Sequence, residues 1–264
     1  MGLASTAETD ALQAALTTSV SGQGTITLDP PDGTYNSGTS VTLAATPDAG
    51  WRFDHWTGDL SGNANPATIS MDADKSVTAF FIQQFTLTTS VTGQGEVSLD
   101  SPGGAYDSGA PVSATATPAS GWRFDHWDGD LSGTTNPATL TMDADKNVSA
   151  VFIQQFTLTT SVTGQGSVSL DPAGGTYDTG ASVMLTATPA SGWSFDYWSG
   201  DVSGSDNPLS LTMDANKTAT AVFSTSLPEM ISVPAGPFTM GRRGDGDDAA
   251  GAATELPRHT VNLS

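Results

Sequence analysis

Residues 121–133, GWRFDHWDGDLSG, gather two tryptophans, a phenylalanine, a histidine and three aspartates. Side chains of these types allow three kinds of chemistry. The aromatic faces could form a platform for a ligand, the carboxylates and histidine could hold a cation, or the whole group could be core and turn of a small β domain. The chain supplies its own comparison, because the stretch recurs as GWRFDHWTGDLSG at 50–62 and as GWSFDYWSGDVSG at 192–204. Trp122, Phe124, Asp125, Trp127, Gly129, Asp130 and Gly133 have identical counterparts in all three copies. Arg123 becomes Ser194, His126 becomes Tyr197, and Asp128 is Thr57 in the first copy and Ser199 in the third.

These exchanges bear on the choice. A metal centre common to all copies would not tolerate Tyr, Thr or Ser in place of its ligands. The unchanged aromatics suit a core, since burying one contributes ~2–3 kcal/mol. Trp51, Trp56, Trp122, Trp127, Trp193 and Trp198 are therefore expected to be core residues first. As a candidate platform for a glycan or a protein they come second. Asp125 and Asp130 are expected to hold turns by accepting nearby backbone N–H groups. Calcium in the DGD…DAD region is an option for so acidic a chain, although the loop spacing of an EF-hand is absent.

The elements that would position these residues follow from repetition. Trp51, Trp122 and Trp193 are 71 residues apart, as are Tyr35, Tyr106 and Tyr177. No insertion breaks this register, which gives repeats over 12–82, 83–153 and 154–224, a disordered start over 1–11 and a remainder over 225–264. Inside a repeat the apolar period is 2, the signature of strands. In FTLTTSV, Phe85, Leu87, Thr89 and Val91 share a face. GQG then reads as a hairpin turn and EVSLD as the returning strand. A loop carrying Tyr106 follows, and then the strands VSATATP, WRFDHW, ATLTMD and NVSAVF. No helical stripe occurs. The expected fold is all-β, a tandem array of three domains of about six short strands each, every one near the lower size limit for a self-sufficient core. Only IQQ separates Phe152 from Phe156, so the last strand is expected to run almost directly into the next unit. The array should be a semi-rigid string of beads, on the order of 100 Å for three units.

Composition narrows the function classes. The net charge is −20, from 28 acidic and 8 basic residues, so nucleic acid and anionic membranes are poor partners. Cysteine is absent, which removes disulfides and thiolate chemistry from this chain. No apolar run is long enough to span a membrane. The opening, MGLASTAETDALQAAL, lacks the features of a signal peptide and reads as a truncated or mis-started end. With no clustered histidine and no nucleophile beside a base, the chain is not expected to be an enzyme.

The ordered series GxG, Gly-x-x-Tyr, Ala-Thr-Pro, Gly-Trp-x-Phe, Trp-x-Gly-Asp, Asn-Pro, Met-Asp and Ala-x-Phe resembles the divergent internalin-B B-repeat family of bacterial surface and secreted proteins. The resemblance implies small β domains, related to the β-grasp type, used in tandem as extracellular spacers or adhesive modules, with no catalytic residues. After the linker STSLPE, the tail MISVPAGPFTMGRRGDGDDAAGAATELPRHTVNLS resembles the opening of the formylglycine-generating-enzyme family of sulfatase-modifying domains, through residues 234–241 and 255–263. That resemblance implies a C-terminal domain whose reactive cysteines and metal positions would lie beyond Ser264, with His259 as a framework residue. Two functions remain open: a spacer presenting such a domain, or an adhesive module for a glycan or host protein, with calcium in support.

Overall fold

The computed structural model describes residues 12–225, and every element among them is a strand. The first repeat holds β1 (Gln13–Ser21), β2 (Gly24–Asp29), β3 (Thr34–Asn36), β4 (Thr39–Pro47), β5 (Trp51–Gly58), β6 (Ala67–Met71) and the first half of β7 (Lys75–Thr92). The second adds β8 (Gly95–Leu99), β9 (Ala105–Asp107), β10 (Pro111–Pro118), β11 (Trp122–Gly129), β12 (Ala138–Thr141) and β13 (Lys146–Thr163). The third adds β14 (Gly166–Asp171), β15 (Thr176–Asp178), β16 (Ser182–Pro189), β17 (Trp193–Gly200), β18 (Leu209–Thr212) and β19 (Lys217–Thr225).

Each repeat is two sheets around one core. An antiparallel three-stranded sheet, β2-β4-β6 in the first repeat, contributes alternate residues: Val41, Leu43 and Ala45 from β4, and Ile69 and Met71 from β6. Opposite it, β1 and β7 run parallel, from Leu16 beside Lys75 to Ser21 beside Phe80, and β5 joins β7 antiparallel. Leu16, Trp56, Val77, Ala79 and Phe81 close the core from that side. Thr and Val at alternating positions suit a pleated surface that is buried on one face only. Tyr35, Tyr106 and Tyr177 are buried, and each hydroxyl donates to a carbonyl five residues earlier, that of Pro30, Ser101 or Pro172.

The repeats are not beads on linkers. The 18-residue strands β7 and β13 each serve two repeats, so the mixed sheets fuse into one sheet of ten strands. On β7 the same face supplies Val77, Ala79 and Phe81 to the first core and Phe85 and Leu87 to the second. The period of 2 is unbroken through Gln83, so the chain reaches the next core without turning over.

Two local expectations are corrected. The GQG segment is not a hairpin turn: β8 pairs with β10 and not with β7, so the glycines carry the chain from one sheet to the other. The reason is steric. A Cβ on Gly93, where φ is +88°, would lie 2.5 Å from the Phe152 carbonyl oxygen and 2.8 Å from the Trp122 ring, and one on Gly95 would lie 2.6 Å from the Phe152 ring. The segment around Tyr106 is likewise not all loop, because β9 pairs with β7 through Phe85 and Tyr106. Val91, at the far end of the face shared with Phe85 and Leu87, is exposed. The expectations for 1–11 and for the tail lie outside the described residues.

Candidate functional site

The WRFDHW strand departs from simple alternation. Pairing of β11 with β13 shifts between Phe124 and His126, leaving Asp125 as an extra residue, and the same shift occurs in β5 and β17. Such a bulge reverses the facing of everything after it. Phe124 and Trp127, an odd number of positions apart, therefore both face the core. Trp56, Trp127 and Trp198 are each 1% exposed. Their indole N–H groups donate to the carbonyls of Ala64, Thr135 and Asp206 at 2.9, 2.9 and 3.0 Å, which satisfies the one polar atom that burial would otherwise strand.

Trp51, Trp122 and Trp193 are half-buried at the core margin, where each ring covers the first glycine of a GQG segment. The six tryptophans thus form two sets. Trp56, Trp127 and Trp198 are closed off from any ligand, and the other three are partly exposed.

Several aspartates of this region are paired with donors of the chain itself. Asp130 accepts the Asn147 backbone N–H at 2.7 Å, far from its own turn, and Asp59 and Asp201 do the same for Ser76 and Thr218. Asp125 does not hold a turn. It accepts His126 Nδ1 at 2.8 Å and Arg123 Nη1 at 2.6 Å, and these contacts, the histidine's foremost, hold its carboxyl below the usual range. Asp145, in the DADK turn, accepts the Thr86 backbone N–H at 2.7 Å, which likewise lowers its pKa. Among the described residues no group of three or more His, Asp or Glu side chains gathers as an ion would require.

The arrangement that sets this chain apart lies at the joints. Trp51 sits opposite Gln83 on β7, and Asp107 sits opposite the next residue, Gln84, so the last residue of β9 meets the first residue of β5. Across that meeting point Arg52 of the first repeat grips Asp107 of the second, through Nε at 2.7 Å and Nη2 at 2.5 Å. Gln84 adds a third donor to Asp107 at 3.3 Å. The second joint repeats the design: Arg123 holds Asp178 at 2.8 and 2.6 Å, with Gln155 at 3.1 Å. A two-pronged guanidinium–carboxylate contact fixes orientation as well as distance. It also pushes both arginines further up and both aspartates down from their ordinary pKa values. Backbone bonds brace the same place, from Gln84 N–H to the Gly50 carbonyl at 2.7 Å and from Ser108 N–H to the Gln83 carbonyl at 2.8 Å.

Asp107, Asp178, Gln84 and Gln155 are not among the residues singled out from sequence. A signal for them exists in how they vary. Arg stands at 52 and 123 but Ser at 194, while Asp stands at 107 and 178 but Asn at 36. The two halves of the pair vary across a joint, not within a repeat.

Near-identical all-β modules fused by common strands and ion-paired at each joint define a tandem-repeat protein. The model of the divergent InlB B-repeat domain family matches residues 14–84, 85–155 and 156–226, and the chain belongs to that family. No curated protein matches it in sequence. Among solved structures, the major pilin protein T-13 from Streptococcus pyogenes serotype GAS131465 is similar at 12% identity over 80% of this chain and 95% of that one. Its TM-score is 0.15, too low to bear on fold or function.

Proposed function

We propose that the chain is a non-catalytic spacer of a bacterial surface or secreted protein, holding whatever is joined to it at a set distance and orientation. The observation that carries this reading is the passage of β7 and β13 through both joints without interruption. A spacer needs resistance to bending, and a hydrogen-bonded strand with an ion pair beside it supplies that where a linker would not. The part presented would be a domain joined after Thr225. By its resemblance to the opening of a formylglycine-generating-enzyme domain, residues 234–241 and 255–263 would lead into that domain.

Small-angle scattering of the chain tests the reading: an extended, concentration-independent particle is expected, and scattering of freely jointed units would overturn it. The adhesive alternative rests on the partial exposure of Trp51, Trp122 and Trp193. Glycan arrays and calorimetry with calcium are expected to show no binding, and quenching of tryptophan fluorescence by a specific glycan would favour adhesion instead.

A further inference from the structure

The joint ion pair has a polarity that the repeats themselves do not need. Its guanidinium always comes from the earlier repeat and its carboxylate from the later one. Within the chain, each half is present where its counterpart is present and replaced by a neutral residue where it is not. Asn36 occupies the place of Asp107 and Asp178 and pairs across the strands with Gln13, as Asp107 does with Gln84. Ser194 occupies the place of Arg52 and Arg123. Nearby, Asp196, the counterpart of Asp125, instead accepts the Ser224 hydroxyl at 2.8 Å. The third repeat thus lacks the guanidinium that its predecessors aim at the next carboxylate.

We propose that this pair is a neighbour-selecting code: a repeat with Arg at the second position of its WxF strand takes as its next partner a repeat with Asp directly after the core tyrosine. The inference rests on the spacer reading for its biological sense. Its physical basis is independent. An Asp at 107 facing a serine would lose both guanidinium donors and keep only Gln84, and an Arg at 52 facing Asn36-type chemistry would lose its bidentate acceptor. A joint between mismatched repeats would leave one charge facing a neutral residue, so it loses the attraction that the matched pair gains. The code also has a direction, because donors lie at the outgoing end of a repeat and the acceptor at the incoming end. The third repeat, with Ser194, offers no guanidinium to a further Asp-bearing repeat.

The absence of cysteine makes the test direct. Pairs of spin labels on introduced cysteines, placed across either joint of the full chain, report the spread of inter-repeat distances. Arg52→Ser, which installs the residue that the third repeat carries, is expected to broaden the distribution at the first joint and leave the second unchanged. Arg52→Asp should broaden it further. Arg52→Asp combined with Asp107→Arg is expected to recover the narrow distribution, which rules out simple misfolding of the single variants. If Arg52→Ser and Arg52→Asp leave a narrow distribution, or the exchanged pair fails to recover it, the code is wrong although the spacer stands. If the unaltered chain is already broad at both joints, the spacer reading is wrong as well.

Discussion

The rings of Phe124 and Trp127 meet at 5.2 Å, tilted by 57°, although an odd number of positions separates them on one strand. The bulge at Asp125 makes this contact, and equivalent contacts occur at 5.0 Å between Phe53 and Trp56 and at 5.2 Å between Phe195 and Trp198. Without the extra residue, Trp127 would face solvent and the second core would lose its largest member. Trp127→Ala should therefore destabilise the second repeat by ~3–5 kcal/mol. Trp122→Ala, at the core margin, should cost less. Denaturant unfolding followed by the remaining tryptophans checks the order, and equal costs would count against the two-set division.

Gly93→Ala and Gly104→Ala separate steric crowding from backbone strain. Both glycines have positive φ, +88° and +80°, but only Gly93 would place a Cβ against the Phe152 carbonyl and the Trp122 ring. Gly104→Ala meets no atom within 4 Å, so it should cost ~1–2 kcal/mol from backbone conformation alone. Gly93→Ala should cost clearly more. Thermal unfolding of the two variants decides, and a Gly93→Ala protein as stable as the parent would contradict the account of the GQG segment.

Asn136 behaves as a short piece of strand. Its side chain donates to the Ala116 carbonyl at 2.7 Å and accepts the Ala116 N–H at 2.9 Å, and Asn65 and Asn207 do the same for Ala45 and Ala187. Removing both arms with Asn136→Ala strands two backbone groups in a half-buried place, at ~1–3 kcal/mol. Asn136→Asp should be nearly as harmful, since it replaces the donor with a charge aimed at a carbonyl oxygen. Equilibrium unfolding of the two variants tests this.

Acid should loosen the joints in a defined window. Arg52 lowers the pKa of Asp107, and Arg123 that of Asp178. A carboxyl depressed in the folded state adds stability that is full above its unfolded pKa of ~3.9 and fades as pH falls through the lower folded value. Joint stiffness should thus be constant near neutrality and decline only in strong acid. The partners keep about a third of their side-chain surface in water, so each pair is worth only ~0.2–1 kcal/mol and should weaken with added salt. Distance distributions recorded against pH and salt test both trends. Arg52→Ser should abolish them at the first joint alone.

How much was legible in the sequence depended on the range of the interactions involved. Alternation in FTLTTSV put Phe85 and Leu87 on one face, and both serve the second core, because period 2 is a local property. The 71-residue register likewise exposed the repeats. The GQG segment misled because glycines between two strands are the local mark of a hairpin, whereas the demand on Gly93 comes from Trp122 and Phe152, distant in sequence. The parity break between Phe124 and Trp127 was visible, but its cause is the pairing of β11 with β13. The short IQQ joint is legible, but its ion pair is not, because Arg52 and Asp107 are 55 residues apart and belong to different repeats. The exchanges to Ser194 in the third copy and Asn36 in the first are the hint that the arginine serves a neighbour.

Backbone hydrogen exchange at the joints tests the central claim most directly. If β7 and β13 are single strands, the amides of Gln84, Thr86, Gln155 and Thr157, bonded to Gly50, Asp145, Gly121 and Asn216, exchange slowly, as those within the cores do. Exchange of these four amides at the rate of an unstructured peptide, with the cores still protected, would show that flexible linkers join the repeats and would contradict the account.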